Sequence, residues 1–225
     1  MVHERFPSAR VLRWDSGTSR KKGAHERILS QFSSHQVDIL IGTQMLAKGL
    51  DLPLVTLVGV ILAEVGLNLP DFRAAERTFQ VLTQVAGRAG RSPLGGHVVL
   101  QTYMPDHYAI TTAANHDYKG FYEQELAYRS ELRYPPYRRL VRLEYRHKDQ
   151  DAAEAAANTL AAQIKIWIAQ ENSRTEIIGP VPCFFGRLYG RYRWQIILRG
   201  MNPKQLLHHR RLTDWIVEVD PSNLL

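Results

Sequence analysis

Cysteine is almost absent from this chain: Cys183 is the only one among 225 residues. One thiol cannot form an internal disulfide or build a cysteine-based zinc site. No apolar run is long enough to cross a bilayer, and the first residues lack the apolar core of a signal peptide. We therefore predict a soluble cytoplasmic protein with no membrane partner and no bound zinc. The pair His208 and His209 lacks a carboxylate at ligand spacing, which favours a basic helix end over a metal site.

Two nucleotide-binding elements are also missing. The sequence has no G-x-x-x-x-G-K-[ST] phosphate loop to grip the β- and γ-phosphates, and no acidic Walker B element to hold magnesium. We therefore expect the isolated chain not to hydrolyse ATP.

Basic residues are in excess. Lys and Arg number 29 against 22 Asp and Glu, which gives a formal net charge of +7. Such a balance favours a polyanionic partner such as nucleic acid, although it decides neither the fold nor the reaction.

Two arginines follow a glutamine at Q-x-x-G-R-x-x-R spacing, from Gln84 to Arg91, where a helix is predicted to end. The planar fork of arginine suits phosphate oxygens, and a positioned arginine stabilises the charge that develops when a γ-phosphate is cleaved. Arg88 and Arg91 are the candidates for this role, and Gly87 keeps the backbone unobstructed. The alternative is a basic helix terminus, in which cations stabilise the negative end of the helix dipole.

A polar loop, GTQMLAKGLD from Gly42 to Asp51, follows the apolar run that ends at Ile41. The backbone amides of this loop and the hydroxyl of Thr43 can bind a nucleic-acid phosphate, while Gly49 and Asp51 can turn back towards a nucleotide. The alternative is an ordinary strand-to-helix loop at the edge of an α/β sheet.

The periodicity of apolar residues predicts an α/β fold in two parts. The first part is a parallel-sheet lobe, with strands at 10–15, 37–42, 54–62 and 97–103 and helices at 21–34 and after Asp71. The run at 54–62 is expected to be covered on both faces. Predicted domains are residues 1–104, a helical connector at 105–136 that the Pro135-Pro136 pair ends, and residues 137–225.

The second part is predicted to be a smaller α+β, ferredoxin-like domain of order β-α-β-β-α-β. Its strands are expected at 140–146, 176–178, 191–199 and 215–219, with helices starting at Asp151 and near Pro203. In the third strand, alternation places Arg191, Arg193, Gln195 and Arg199 on one face. That face is predicted to bind an anion, and the alternative is a solvated basic face.

Three segments resemble the primosomal protein N′ (PriA) family of superfamily-2 DNA helicases. Ile41–Gly49 is similar to the family's motif V, Thr83–Arg91 to its motif VI, and Gly66–Arg77 to the more family-specific segment between them. Further similar segments are Tyr134–Pro136, Gly179–Pro182, Arg191–Gln195 and Val219–Pro221. The chain departs from the family at Leu50, usually histidine, and at Gly17, often acidic.

The resemblance implies a RecA-like second helicase lobe followed by the family's C-terminal domain. ATP and Mg²⁺ would be shared with a missing first lobe, so we expect a C-terminal fragment, a split subunit or a truncated gene product. The implied roles are catalytic for Arg88 and Arg91; nucleotide-binding for Gly49, Asp51, Gln84 and Gly87; DNA-binding for Thr43, Gln44, Lys48 and Arg193; and partner-tail-binding for Arg191 and Gln195.

The function implied is that of an ATP-dependent 3′-to-5′ DNA helicase that restarts stalled replication forks through primosome assembly. Expected partners are forked and single-stranded DNA, the single-stranded DNA-binding protein, other primosome proteins and the missing N-terminal half, at the nucleoid. The alternative is a non-catalytic module that binds single-stranded DNA or its binding protein. Replacement of Arg88 would not affect such a module, whereas replacement of Arg191 would weaken it.

Overall fold

The computed structural model describes residues 2–15, 23–43, 55–89 and 95–225, except for the side chains of residues 24, 25, 88 and 89. The chain divides into two compact units, Met1–Val65 with Arg77–Tyr118, and Gly66–Glu76 with Lys119–Leu225. The domain limits predicted at 104 and 136 stay predictions. In the part of the chain that is described, no helix has the length and apolarity needed to span a membrane.

The first unit contains two parallel strand pairs. A short helix, α1 (Val2–Arg5), precedes β1 (Val11–Trp14), and α2 (Ala24–Ser33) connects β1 to β2 (Ile39–Gly42). The two strands pair in parallel with Val11 opposite Ile39, as the alternation of strand and helix predicts. Arg10 donates from Nε and Nη2 to the carboxylate of Asp38 at 2.9 and 2.7 Å, which aligns the starts of both strands.

The second pair joins β3 (Leu57–Ile61) and β4 (His97–Gln101), also in parallel. Between them lie a 3-10 helix (Ala63–Gly66) and α3 (Ala74–Ala89), and α4 (Tyr108–Ala114) follows. The expectation that residues 54–62 are covered on both faces is wrong for the described residues. Burial alternates along β3, and Leu57 and Ile61 are among the exposed apolar side chains.

The second unit contains an antiparallel sheet of four strands. After α5 (Tyr118–Glu131), its elements are β5 (Arg139–His147), α6 (Gln150–Gln170), β6 (Glu176–Leu188), β7 (Arg191–Gly200), a 3-10 helix (Pro203–Leu207) and β8 (Trp215–Val219). The strand order is β6-β7-β5-β8. This is the predicted ferredoxin-like arrangement, with the second helix shortened to a 3-10 turn.

Helix α6 covers one face of that sheet. Its first residues are capped by Asp149, whose Oδ1 accepts a hydrogen bond from the backbone N of Ala152 at 2.8 Å. The helix therefore begins at Gln150, one residue before the predicted start at Asp151. The apolar stripe of the helix packs against β5 and β7 in a core made of Val141, Leu143, Leu160, Ala161, Ile164, Ile196, Leu198 and Leu206.

Strand β6 is much longer than the predicted segment at 176–178. Its ladder with β7 shifts register between Ile178 and Val181 and again between Pro182 and Arg187. Because β6 lies at the edge of the sheet, its prolines do not interrupt a central ladder. The irregular stretch turns Cys183 inwards and leaves Phe184 and Phe185 exposed.

Candidate nucleotide and nucleic-acid surfaces

The predicted nucleotide-binding glutamine lies on the solvent side of α3. The helix buries Thr78, Phe79 and Leu82, while Gln84 and Gly87, near its C-terminal end, are exposed. Arg88 belongs to the last turn of the helix, four residues after Gln84, and its side chain is outside the described set. Gly87 has no heavy atom within 4 Å of the position a Cβ would take, so the backbone is open there.

The predicted DNA-binding loop is described only at its first residue. Thr43 follows β2 directly and is exposed. The other predicted contacts that lie outside the described residues are Gln44, Lys48, Gly49, Asp51 and Arg91, and the departures Gly17 and Leu50 lie outside them as well.

The structure brings charged side chains together on the face of the four-stranded sheet opposite α6. Arg193 is only 5% exposed and donates to both carboxylate oxygens of Glu144, from Nε at 2.7 Å and from Nη2 at 2.9 Å. The alternative of a solvated basic face is therefore wrong at Arg193. For this arginine to bind DNA, as predicted, its ion pair with Glu144 would have to open.

Glu144 forms ion pairs with two more arginines. Arg146 Nε lies 2.5 Å from its Oε1, and Arg142 Nη2 lies 3.3 Å from its Oε2. Burial acts to raise the pKa of Glu144, but the hydrogen bonds from Arg193 and Arg146 outweigh it and lower the pKa to about 2. Arg142 also pairs with Glu218 at 3.0 Å, so three arginines share two carboxylates.

Gln195, predicted to bind a partner's tail, already contacts the last residues of this chain. Its Nε2 donates to the carbonyl oxygen of Leu224 at 3.4 Å, and Arg142 Nη1 donates to a main-chain oxygen of Leu225 at 2.8 Å. On the other side, the backbone N of Leu224 donates to Asp71 Oδ2 at 3.3 Å. Arg191, the second predicted tail contact, is exposed.

The family-specific segment 66–77 supplies Phe72 and Glu76 to the second unit. The ring of Phe72 stacks on Tyr134 with centroids 5.6 Å apart. Arg129 donates to Glu76 Oε2 at 2.8 Å and to Glu125 Oε1 at 2.7 Å. The resemblance identified this segment, but sequence reasoning did not find its partners on α5.

Sequence reasoning also missed Glu144 and Arg142. A signal was present, because the segment Arg142-Leu143-Glu144-Tyr145-Arg146 alternates charged and apolar residues in a predicted strand. Nearby, burial raises the pKa of Cys183 to about 11, with Glu144 adding to the effect. Within the described ranges, no three His, Cys, Asp or Glu side chains form a group that suits a metal ion.

Two family models match this chain one after the other. Residues 3–93 match the helicase conserved C-terminal domain, a RecA-like lobe, and residues 130–222 match the primosomal protein N C-terminal domain. The described elements agree with this order, since parallel strand pairs come first and the antiparallel sheet follows.

Several proteins named replication restart protein PriA are similar to the chain. The protein of Bacillus subtilis is 48% identical over 201 residues, which is 89% of this chain and 25% of that protein. The protein of Synechocystis is 44% identical over 87% of this chain and 23% of its own length, and that of Treponema pallidum is 42% identical over 88% and 30%. The chain thus spans 23% to 30% of the length of these three relatives. With both models matched in order, it belongs to the primosomal protein N′ (PriA) family and corresponds to the C-terminal part of its members.

Proposed function

We propose that this chain is the C-terminal part of an ATP-dependent DNA helicase that moves 3′ to 5′ and restarts stalled replication forks. The observation that carries the proposal is the tandem match of a helicase C-terminal lobe and a primosomal C-terminal domain in one chain. Relatives with the name replication restart protein support the biological role.

In this proposal, Arg88 and Arg91 complete an ATP site whose phosphate-gripping wall and Mg²⁺ ligands belong to another part of the helicase. Bound ATP and Mg²⁺ supply the cleavable γ-phosphate and the cation that neutralises its charge. Gln84 and Gly87, together with Gly49 and Asp51, form the nucleotide-facing side. The exposure of Gln84 and the open backbone at Gly87 fit this role. A positioned arginine contributes roughly three to five powers of ten in rate.

The DNA contacts proposed for the first unit are Thr43, Gln44 and Lys48, which would bind strand phosphates as the helicase lobes close and reopen. In the second unit, Arg191 and Gln195 would bind the acidic tail of the single-stranded DNA-binding protein, and Arg193 would contact DNA. The exposure of Thr43 and Arg191 supports their assignments. Other primosome proteins complete the proposed set of partners.

A chimera tests the proposal. Residues 1–225 replace the matching C-terminal region of the Bacillus subtilis relative, and DNA-stimulated ATP hydrolysis is measured. We expect the chimera to be active and Arg88→Ala or Arg91→Ala to reduce its turnover at least a thousandfold. Arg5→Ala is the matched control, since Arg5 is an exposed arginine in α1. The isolated chain is expected to show no ATPase activity.

The same experiment separates the helicase from a non-catalytic binding module. ATP hydrolysis by the isolated chain would contradict the shared site. If Arg88→Ala and Arg91→Ala chimeras keep full activity while Arg191→Ala loses binding to single-stranded DNA-binding protein, the module is the better description. Loss of ATP hydrolysis in the Arg88→Ala and Arg91→Ala chimeras, with binding to single-stranded DNA-binding protein retained, supports the helicase.

A further inference from the structure

The turn between β6 and β7 presents an aromatic ring to solvent at a conformational cost. Leu188 pairs with Arg191, so Tyr189 and Gly190 form a two-residue turn. Both have positive φ, 49° and 76°. This turn type favours Asn-Gly, and a bulky residue at positive φ is uncommon. Tyr189 is nevertheless there, with 94% of its surface exposed.

Two more exposed rings lie in the irregular part of β6. Phe184 and Phe185 are 50% and 55% exposed, and their rings meet edge to face with centroids 5.0 Å apart. Cys183, next to them, points inwards and is buried. Arg193 Nη1 donates to the carbonyl oxygen of Phe185 at 3.3 Å, which links the bulged backbone to the buried Glu144 cluster. The rings are thus held outward by a supported backbone.

The surroundings of these rings are basic. No Asp or Glu occurs anywhere between Ile177 and Thr213. Arg187 lies over the ring of Tyr192, with its Cζ 5.0 Å from the centroid, and Arg191 is exposed beside the turn. Neither Arg187 nor Arg191 has a carboxylate partner among the residues that the structure describes. Exposed rings next to two exposed arginines suit a ligand that is anionic and carries flat bases.

We propose that Phe184, Phe185, Arg187, Tyr189 and Arg191, the hairpin surface, form a binding site for single-stranded nucleic acid. The rings stack on unpaired bases, and the arginines bind the phosphates between them. The inference deepens the proposed function, since it assigns a strand-binding site in the C-terminal unit to residues outside the helicase motifs. An acidic peptide would use the arginines alone and would leave the rings without a role.

The test uses the whole chain and a labelled fifteen-nucleotide oligothymidylate, with binding followed by fluorescence anisotropy. Tyr189→Gly is the decisive variant. Glycine favours positive φ, so the turn keeps or gains stability while the ring is lost. We expect affinity to fall about tenfold, the scale of losing one stacked base. Tyr189→Trp should keep the affinity. Tyr128→Ala, which removes a 52% exposed ring from α5, should leave it unchanged.

Two further probes identify the ligand chemistry. A strand of the same length without bases should bind the parent chain and Tyr189→Gly equally. Arg187→Ala should reduce the dependence of log affinity on log salt by about 0.7, the value for one phosphate contact on a single strand. The proposal is overturned if Tyr189→Gly binds oligothymidylate like the parent, if it loses equal affinity for the baseless strand, or if only an oligo-aspartate peptide responds to it.

The outcomes also separate this inference from the helicase assignment. If Tyr189→Gly leaves strand binding intact while the chimera keeps its Arg88-dependent ATPase activity, only the hairpin surface is refuted. If the chimera is inactive but Tyr189→Gly still weakens strand binding, the hairpin surface stands without the motor.

Discussion

Arg193 and Glu144 form an ion pair with two hydrogen bonds between neighbouring strands β7 and β5. The two residues are 49 positions apart in sequence. Arg146 is directly opposite Arg193, and Glu144 is opposite Gln195, so the pair runs diagonally. Two arginines facing each other would repel, and the carboxylate between them neutralises the repulsion. The balance of charge on this face therefore depends on one buried glutamate.

Glu144→Gln should destabilise the second unit strongly. The change leaves Arg193 buried without its anion, while Arg142 keeps only Glu218, and removing one partner of a buried ion pair costs about 3–5 kcal/mol. Denaturant unfolding followed by circular dichroism measures the loss. Glu154→Gln on the exposed side of α6 is the control and should change stability by less than about 0.5 kcal/mol. A loss of similar size in both variants would contradict the role of Glu144.

Stability should fall in acid because of the same residue. The pKa of Glu144 is about 2 in the folded chain, against an ordinary value of 4.5. A lowered carboxylate pKa stabilises the fold fully above the ordinary value, and the contribution disappears as the pH falls towards 2. Unfolding midpoints at pH 6 and pH 3 should show the parent losing more stability than Glu144→Gln. A constant gap between the two proteins would refute this account.

Arg129→Met should loosen residues 66–76. Methionine keeps the apolar contact with Phe72, but Glu76 and the buried Glu125 lose their shared donor. We expect a loss of about 3 kcal/mol or more and faster tryptic cleavage after Arg73. Arg133→Met is the control, because its pair with Glu176 is exposed and should contribute about 0–1 kcal/mol. Equal cleavage rates in parent and Arg129→Met would contradict the prediction.

Removal of residues 223–225 should strengthen binding of an acidic peptide, if Gln195 binds a partner's tail as proposed. Main-chain oxygens of Leu224 and Leu225 occupy the donors of Gln195 and Arg142, so an incoming peptide must first displace them. Two hydrogen bonds at about 1 kcal/mol each predict a gain of about tenfold or more. The affinity is measured by the fluorescence anisotropy of a labelled oligo-aspartate peptide that ends in two leucines.

The matched control for that prediction is Gln195→Ala in the shortened chain. This variant should bind the peptide no more tightly than the full chain does. Unchanged peptide affinity after the truncation would show that the chain's own last residues do not compete for this surface. A shortened chain that unfolds is recognised by its circular dichroism spectrum, and a shorter truncation that removes only Leu224 and Leu225 then provides the second variant.

The sequence predicted the strands of the second unit well where their pattern is local. The strand predicted at 215–219 is β8, and that at 191–199 is β7 to within one residue, because alternating and β-branched residues mark them clearly. It failed at β6, since Gly179, Pro180 and Pro182 suggest a break that an edge strand tolerates. Asp149 and Asp151 cap equally well by composition, and only backbone geometry selects the first.

The candidate site was predictable in residue type more than in environment. Alternation correctly placed Arg191, Arg193 and Gln195 on one face. It also predicted that Arg193 is accessible, whereas the side chain is buried. Its burial depends on Glu144 from β5, and local periodicity contains no information on such a distant partner. The exposure of Tyr189 could not be predicted either, because a Tyr-Gly pair is not a sequence that indicates a two-residue turn.

The buried thiol of Cys183 makes this chain convenient for site-specific labelling. With a pKa of about 11 and almost no accessible surface, its thiolate is too scarce and too enclosed to react with maleimide at neutral pH. A single cysteine introduced at an exposed position, such as Tyr128→Cys, would therefore be the sole reactive thiol. A fluorophore attached there would report on the native chain without any cysteine having to be removed first.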